Sequence, residues 1–210
     1  MLKGLYKTFQ KWSDGGSIWL LSDFHFDDED CKLMNPNWIE PYEQILRINK
    51  CVGRQDTLIC LGDVGDPRYV NKLRGYKVLI TGNHDKGTSV YEPYFDEVYN
   101  GPLFISDKIL LSHEPVKLPF ICNIHGHEHN GVAFSECDMG GHKCMLYNVA
   151  ADVVDYSPVN LKTIINSGNL SKIDSIHRLA IDKQRSRSIK RDGIALDNNK
   201  NIEGPHVAFV

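Results

Sequence analysis

Five short apolar runs in this chain each stop at residues that can bind a metal ion, and this feature constrains the fold more than any other. The runs begin near Ser17, Thr57, Lys77, Lys108 and Phe120. Each is nearly continuous in apolar residues, as expected for strands that are buried on both faces. The polar residues that end the runs are Asp23 and His25, Gly62-Asp63, Gly82-Asn83-His84-Asp85, His113, and His125-Gly126-His127 with His129.

Helical patterns separate some of these runs. Residues 38–52 carry apolar side chains close to the helical period, and Ser157-Pro158 is typical of a helix start, with Gly168 at the end. Strands that alternate with helices predict an α/β domain. The β-rich stretch from about residue 98 to 149 predicts antiparallel strands, either in the same sheet or in a second one.

The composition is ordinary for a globular protein, with 41% hydrophobic and 24% charged residues, so disorder is not expected. A formal charge of -3 argues neither for nor against a polyanionic partner. The six cysteines are scattered without CxxC spacing, and no secretory signal is recognised, so we expect reduced thiols in a cytoplasmic protein. A membrane span needs about 20 apolar residues, and the sequence predicts none.

The residue types at the strand ends indicate a particular chemistry. In open α/β sheets, ligands bind beyond the carboxyl ends of the strands. One histidine there is usually a packed core residue, but five consecutive strand ends of this kind are not explained by coincidence. A phosphate ester hydrolyses slowly because water is a poor nucleophile and negative charge builds up in the transition state. Two cations about 3.5–4 Å apart address both problems, and a carboxylate can bridge them. Imidazole, carboxylate and amide ligands without thiolate favour manganese, iron or zinc.

The same residues resemble the five ordered motifs of the calcineurin-like metallophosphoesterase superfamily. The motifs are Asp23-Phe24-His25, Gly62-Asp63, Gly82-Asn83-His84-Asp85, His113, and Gly126-His127-Glu128-His129. A later stretch, Asn148-Val149-Ala150-Ala151-Asp152 followed by Tyr156-Ser157-Pro158-Val159, is similar to the closing segment of a small bacterial and phage branch of phosphoesterases. The resemblance extends to about residue 168, and we expect a metallophosphoesterase domain over residues 1–168.

The resemblance implies a four-layer α-β-β-α sandwich of two mixed sheets, with a dinuclear metal site at the strand ends. It implies that one metal is held by Asp23, His25 and His129, and the other by Asn83, His113 and His127. Asp63 would bridge them, and a hydroxide between the ions would attack the phosphorus. His84 would act as the general acid. Asp66 lies three positions after the bridging aspartate, where the protein phosphatases of this superfamily place an aspartate that orients the histidine. Asp85 competes with Asp66 for this role.

Two departures from the family pattern bear on the substrate. Protein phosphatases carry an arginine directly after the orienting aspartate, where this chain has Pro67 and then Arg68. We therefore discount protein phosphatase activity. Relatives in the small branch often place a histidine where this chain has Asp28. The expected activity is hydrolysis of a phosphate ester, with phosphodiesters favoured. The alternatives are a phosphomonoesterase for a small phosphate or nucleotide, a nuclease, and a non-catalytic scaffold that binds proteins.

The C-terminal extension, residues 169–210, differs in composition from the rest of the chain. Between Lys172 and Asp192 it carries seven basic and three acidic residues. Ile173, Ile176 and Ala180 can form one helical stripe. The extension is either a solvated helix on the edge of the domain or a basic surface that holds a phosphate-rich substrate, which keeps nucleic acid open as a partner.

Overall fold

Two five-stranded mixed sheets form the centre of this computed structural model, which describes residues 4–174, 180–181 and 183–186. The first sheet has the order β10-β1-β2-β3-β4, and only β10 is antiparallel to its neighbour. Its strands are β1 (Ile18–Leu21), β2 (Thr57–Cys60), β3 (Tyr76–Ile80), β4 (Glu97–Tyr99) and β10 (Val159–Asn160).

The second sheet has the order β5-β6-β7-β9-β8 and confirms the β-rich stretch predicted from the sequence. Its three central strands are parallel, and both edge strands are antiparallel to them. The strands are β5 (Leu103–Phe104), β6 (Ile109–Leu111), β7 (Cys122–His125), β8 (Phe134–Asp138) and β9 (Lys143–Asn148). The predicted α/β fold with two mixed sheets is confirmed.

Helices connect several of the strands within the described residues. The α-helices are α1 (Glu29–Met34), α2 (Pro41–Cys51) and α3 (Leu161–Asn166), and the 3₁₀ helices are Lys7–Ser13, Pro67–Lys72, Thr88–Val90 and Asn169–Lys172. The helix predicted over residues 38–52 corresponds to α2, which begins at a proline in its first turn. Ile45 and Ile48 of α2 are buried, while Tyr42 and Leu46 are exposed.

The predicted start of helix α3 was wrong. We expected a helix from Ser157-Pro158, but Val159 and Asn160 form β10 and pair with β1. The side chain of Asn160 then accepts a hydrogen bond from the backbone N–H of Lys162 at 2.9 Å and caps α3. Pairing with a central strand outweighs the local signal of the serine and proline.

The core lies in layers on both sides of the first sheet. Between the two sheets, Leu20 and Ile59 pack in one buried cluster with Leu111 and Ile124. On the outer face of the first sheet, a second cluster joins strand residues to the buried side of α2. The outer face of the second sheet carries a smaller cluster of Leu110, Ile121, Cys144 and Leu146, with Val116 and Cys137 packed against it. The near-continuous apolar runs are therefore buried on both faces, as the sequence predicts.

The described chain divides into two compact units, Met1–Ile173 and Asp174–Val210. Asn169–Lys172 belongs to the first unit, where Lys108 Nζ donates hydrogen bonds to the carbonyl oxygens of Leu170 at 3.1 Å and Ile173 at 2.5 Å. A domain boundary at residue 168 stays a prediction. In the second unit, residues 180, 181 and 183–186 are helical and exposed.

Most of the predicted basic extension lies outside the described residues. This holds for Ile176 of the proposed stripe and for the basic residues Arg178, Arg187, Lys190 and Arg191. All six cysteines lie in the described part and are free thiols, as expected. Within the same part of the chain, none of the helices has the length and apolar character needed to cross a bilayer.

Candidate metal centre

The ends of five strands meet at one edge of the two sheets. Ser22, directly after β1, accepts a hydrogen bond from the backbone N–H of Ala151 and donates its own N–H to Val149, which joins the two sheets there. Asp23, His25, Asp63 and His127 all have positive φ values between 44° and 67°. Such backbone conformations are costly for residues other than glycine and cluster at functional sites. The sharp turns after the strands point these side chains towards a common centre.

The first group of candidate ligands consists of Asp23, His25 and His129, whose ligand atoms lie within 4.8 Å of one another. Asp23 and His25 are buried, and His129 is half-buried. Asp23 Oδ2 accepts a hydrogen bond from the backbone N–H of His127 at 2.9 Å, which fixes the carboxylate. Its other oxygen, Oδ1, lies 3.6 Å from His129 Nε2.

Two buried atoms of this group, Asp23 Oδ1 and His25 Nε2, have no hydrogen-bond partner among the described residues. Buried polar atoms in proteins almost always have partners, and an unpaired buried carboxylate oxygen is costly. Burial raises the pKa of Asp23 above its ordinary value, against the lowering effect of His113 and the hydrogen bonds that Asp23 accepts. A cation between these atoms would satisfy both of them. The residues present therefore fit a bound metal ion.

The second group consists of Asn83, His113 and His127, and the ligand atoms of the two histidines lie within 4.8 Å of one another and of a carboxylate oxygen of Asp63. His113 Nε2 lies 2.7 Å from Asn83 Oδ1, 3.3 Å from Asp63 Oδ2 and 3.2 Å from His127 Nδ1. His113 Nδ1 lies 2.8 Å from the carbonyl oxygen of Leu61 and must donate to it, because a carbonyl oxygen only accepts. In a neutral ring the lone pair of His113 Nε2 then faces two acceptor oxygens, those of Asn83 and Asp63, an arrangement that suits a cation.

The pKa of His113 also indicates that this position favours a positive charge. Burial disfavours the protonated form, but the hydrogen bond with Asp63 and the charges of Asp23 and Asp63 outweigh this effect and raise the pKa of His113 to about 9. For Asp63, burial raises the pKa, but the interactions with His113 and His25 and the N–H of His84 prevail and lower it. A proton on His113 and a metal ion therefore compete for the same place.

Asp63 lies between the two groups. Its Oδ2 is 3.3 Å from His113 Nε2 and 3.7 Å from His25 Nε2. Its Oδ1 accepts a hydrogen bond from the backbone N–H of His84 at 3.0 Å. One oxygen of a buried carboxylate therefore faces a histidine of each group, as a bridging ligand would.

The glycines of two motifs allow the loops to approach the carboxylates. A Cβ atom on Gly82 would lie 2.3 Å from Asp63 Oδ1, and one on Gly126 would lie 2.3 Å from Asp23 Oδ2. Real Cβ atoms essentially never approach so closely. The two positions therefore need a residue without a side chain.

The two candidates for orienting His84 have other partners in the structure. Asp66 accepts a hydrogen bond from the backbone N–H of Arg68 at 3.0 Å, and its Oδ2 lies 2.5 Å from the Arg68 guanidinium. Asp85 accepts hydrogen bonds from the backbone N–H groups of Asp63, Val64 and Gly82 at 2.8–3.0 Å. Among the described residues, no hydrogen bond joins either carboxylate to the His84 ring, so the role of Asp66 stays a prediction.

His84 is exposed and does not belong to either ligand group. Its ring packs edge-on against His25, with 5.7 Å between the ring centroids. Together with His25, Asp63, His127 and His129, it lines a cavity of about 220 Å³. Its imidazole can therefore reach a molecule bound beside the ligand groups without itself holding a metal.

Two residues next to the ligands were missed by the sequence reasoning. His25 Nδ1 lies 3.0 Å from Asp28 Oδ2, and His129 Nδ1 lies 3.0 Å from Asp152 Oδ1. Sequence inspection singled out Asp28 only as a departure from relatives, and Asp152 only as the end of a closing segment. His125 is buried, and its Nδ1 lies 2.8 Å from the carbonyl oxygen of Gly126, in line with a structural role.

Two mixed sheets carry, at one edge, two groups of histidine and aspartate side chains that could each hold a metal ion. The family model for calcineurin-like phosphoesterases matches residues 16–193, and the chain belongs to this family. Its members are hydrolases that act on phosphoric ester bonds and use divalent metal ions. The predicted resemblance and the predicted enzyme class are confirmed.

Among solved structures, the chain is similar to a protein of unknown function, AQ665, from Aquifex aeolicus. The two are 27% identical with a TM-score of 0.57, and the match covers 71% of this chain and 97% of the other. Among curated proteins, none matches this chain. The comparisons therefore support the fold and the family, and the substrate has to be argued from the site.

Proposed function

We propose that this metal-dependent phosphoesterase hydrolyses phosphodiesters at a dinuclear centre. One ion would be held by Asp23, His25 and His129, and the other by Asn83, His113 and His127, with Asp63 between them. The observation that carries the proposal is the position of Asp63 Oδ2, which faces a histidine of each ligand group at 3.3 and 3.7 Å. The mixture of imidazole, carboxylate and amide ligands favours manganese, iron or zinc.

The protein's part in the reaction follows from its own residues. When bound, two divalent ions supply Lewis acidity that activates water and offsets charge on the phosphoryl oxygens. Asp23 and Asp63 are held by the backbone N–H groups of His127 and His84, so the carboxylates are fixed before substrate arrives. Such pre-organisation avoids the cost of reorientation during the reaction. The half-enclosed cavity limits where the ester can lie.

His84 is the proposed general acid. It lines the cavity beside His25 and, among the described residues, belongs to neither ligand group, so its ring is placed to transfer a proton. General acid catalysis contributes about 10²–10⁴-fold and is most useful for a leaving group of high pKa. Alcohols released from natural diesters are such leaving groups. This argument favours phosphate esters of alcohols over substrates that release a stable anion, and the choice of diesters over monoesters rests on the tendency of the family.

The test uses metal-stripped protein with manganese added back. We expect hydrolysis of bis-p-nitrophenyl phosphate to exceed that of p-nitrophenyl phosphate and to require the metal. Asp63→Asn should abolish the activity, while His142→Ala, a histidine outside both ligand groups, should retain it. A preference for the monoester would establish the monoesterase alternative instead. Full metal binding without hydrolysis of either ester would contradict the proposed reaction.

A leaving-group series tests His84 separately. His84→Ala should lose about 10²-fold or more on methyl phenyl phosphate, whose leaving group needs a proton. It should lose much less on methyl p-nitrophenyl phosphate, whose leaving group is already stable as an anion. Equal losses on the two esters would exclude His84 as the general acid and indicate a role in binding.

A further inference from the structure

The two ligand groups differ in the partners that hold their histidines. We refer to Asp23, His25 and His129 as site A, and to Asn83, His113 and His127 as site B. In site A, both histidines donate through Nδ1 to carboxylates, because a carboxylate only accepts hydrogen bonds. His25 Nδ1 lies 3.0 Å from Asp28 Oδ2, and His129 Nδ1 lies 3.0 Å from Asp152 Oδ1.

The two outer carboxylates are themselves held in place. Asp28 Oδ1 accepts hydrogen bonds from the backbone N–H groups of Asp30 and Cys31 at the start of α1. Asp152 Oδ2 accepts the backbone N–H of Asn130 at 2.8 Å. The side chain of Asp152 is 2% exposed, so little water screens its charge. Both carboxylates therefore act as fixed negative charges behind the site A histidines.

The partners in site B are neutral. His113 Nδ1 donates to the carbonyl oxygen of Leu61, and Asn83 is an uncharged amide. Within the described residues, no carboxylate lies within 4.0 Å of a His127 ring nitrogen. Apart from Asp63, which faces both sites, no carboxylate of the described residues is a ligand of site B or a hydrogen-bond partner of its ligand side chains; from site B, Asp23 of site A accepts only the backbone N–H of His127. Site A has Asp23, Asp28 and Asp152.

The remaining carboxylates nearby do not remove this difference. Asp85 accepts hydrogen bonds from backbone N–H groups and, in the part of the chain that the structure describes, none from a ligand side chain of site B. Glu114 and Glu128 line an open groove that His127 of site B and His129 of site A share. Their charges act on both sites through solvent, where screening weakens them.

We infer that Asp28 and Asp152 make the two metal positions unequal, so that site A holds its cation more tightly than site B. The inference rests on the proposed dinuclear function. Asp28 and Asp152 are positioning residues: each fixes the tautomer that presents Nε2 to the ion and makes the imidazole a stronger donor. Site B is then the position that fills last and empties first.

Calorimetric titration of the metal-stripped protein with Mn²⁺ tests the inference without relying on activity. We expect two classes of binding of one ion each, with clearly different affinities. Asp28→Asn and Asp152→Asn remove one charge each with little change in shape. Each should weaken the tight class about 10- to 100-fold and leave the weak class within a few-fold. Asn83→Ala should remove the weak class alone, which assigns it to site B.

Asp155→Asn is the matched control, because Asp155 is exposed and pairs with Arg47 away from the ligands. It should change neither class. Two equal classes in the wild-type protein would overturn the inference while leaving the dinuclear centre intact. Equal weakening of both classes by Asp28→Asn and Asp152→Asn would also overturn it, since that result indicates a structural role only. Absence of any Mn²⁺ binding would refute the dinuclear function itself, and the inference with it.

Discussion

Replacement of Asp85 should destabilise the protein much more than replacement of the neighbouring Asp66. Asp85 Oδ2 accepts the backbone N–H groups of Asp63 at 2.9 Å and Gly82 at 2.8 Å, and Oδ1 accepts that of Val64 at 3.0 Å. One side chain thereby ties the loop after β2 to the loop after β3. Both loops carry proposed metal ligands.

The magnitude follows from these three bonds. A hydrogen bond to a charged group contributes about 1.5–3 kcal/mol net, and a buried N–H group left without a partner costs a comparable amount. Asp85 is half-buried, so water will replace part of what is lost. We expect Asp85→Ala to lower the free energy of unfolding by about 3–5 kcal/mol, which is large for a single substitution. Asp85→Asn should cost less, because its amide oxygen can still accept two of the three bonds.

The assay is urea unfolding of the metal-free protein followed by tryptophan fluorescence, since bound metal would add stability of its own. Asp66→Ala is the control. Asp66 caps a 3₁₀ helix through Arg68 and forms an exposed ion pair with it, so its loss should cost about 1 kcal/mol. If Asp85→Ala and Asp66→Ala unfold at the same urea concentration, the reasoning about the Asp85 bonds is refuted.

Three other predictions concern the strand ends and the metal. The Asp56 carboxylate accepts hydrogen bonds from the backbone N–H groups of Ser17 and Gly53 and from the indole N–H of Trp19. Burial disfavours its charged form, but these hydrogen bonds prevail and hold the pKa of Asp56 below the ordinary 3.8. Because the pKa of Asp56 is lowered in the folded state, its ionised form stabilises the folded protein at higher pH. Urea unfolding should show Asp56→Asn to be less stable than the wild type by about 1–2 kcal/mol at pH 7, and this difference should disappear as the pH falls through and below 3.8. A difference that persists at pH 2 would contradict this. Gly126→Ala should weaken Mn²⁺ binding at least about 10-fold in calorimetry, because its Cβ would displace Asp23, whereas Gly87→Ala, with nothing within 4 Å, should not. Saturating Mn²⁺, at about 100 times Kd, should stabilise the folded protein by about 2.7 kcal/mol in thermal unfolding, and a chelator should reverse this effect. An unchanged melting temperature would contradict a metal site that exists only in the folded protein.

The strands and the place of the site were predictable from the sequence because their signals are local. A run buried on both faces is apolar throughout, and the carboxyl ends of parallel strands meet at one edge of a sheet. The helix α2 was predicted for the same reason, from the helical period of its apolar residues. The start of α3 was not predicted, because Val159 and Asn160 pair with a strand that is distant in sequence.

The residues that support the ligands were beyond sequence reasoning. Asp152 lies 23 positions after His129, and only the fold brings their side chains to 3.0 Å. Asp66 and Asp85 both follow proposed ligands closely, so spacing alone could not decide between them. The structure gives Asp66 the Arg68 guanidinium as its partner and gives Asp85 three backbone N–H groups. Such choices depend on loop conformations with positive φ, which the residue types alone do not specify.

Anomalous diffraction from crystals of the manganese-loaded protein would test the central claim most directly. We predict two anomalous peaks about 3.5–4 Å apart, one on each side of the Asp63 carboxylate, with His25 and His129 at one ion and His113 and His127 at the other. A single peak, or two peaks of which only one contacts Asp63, would contradict the dinuclear centre proposed for this phosphoesterase.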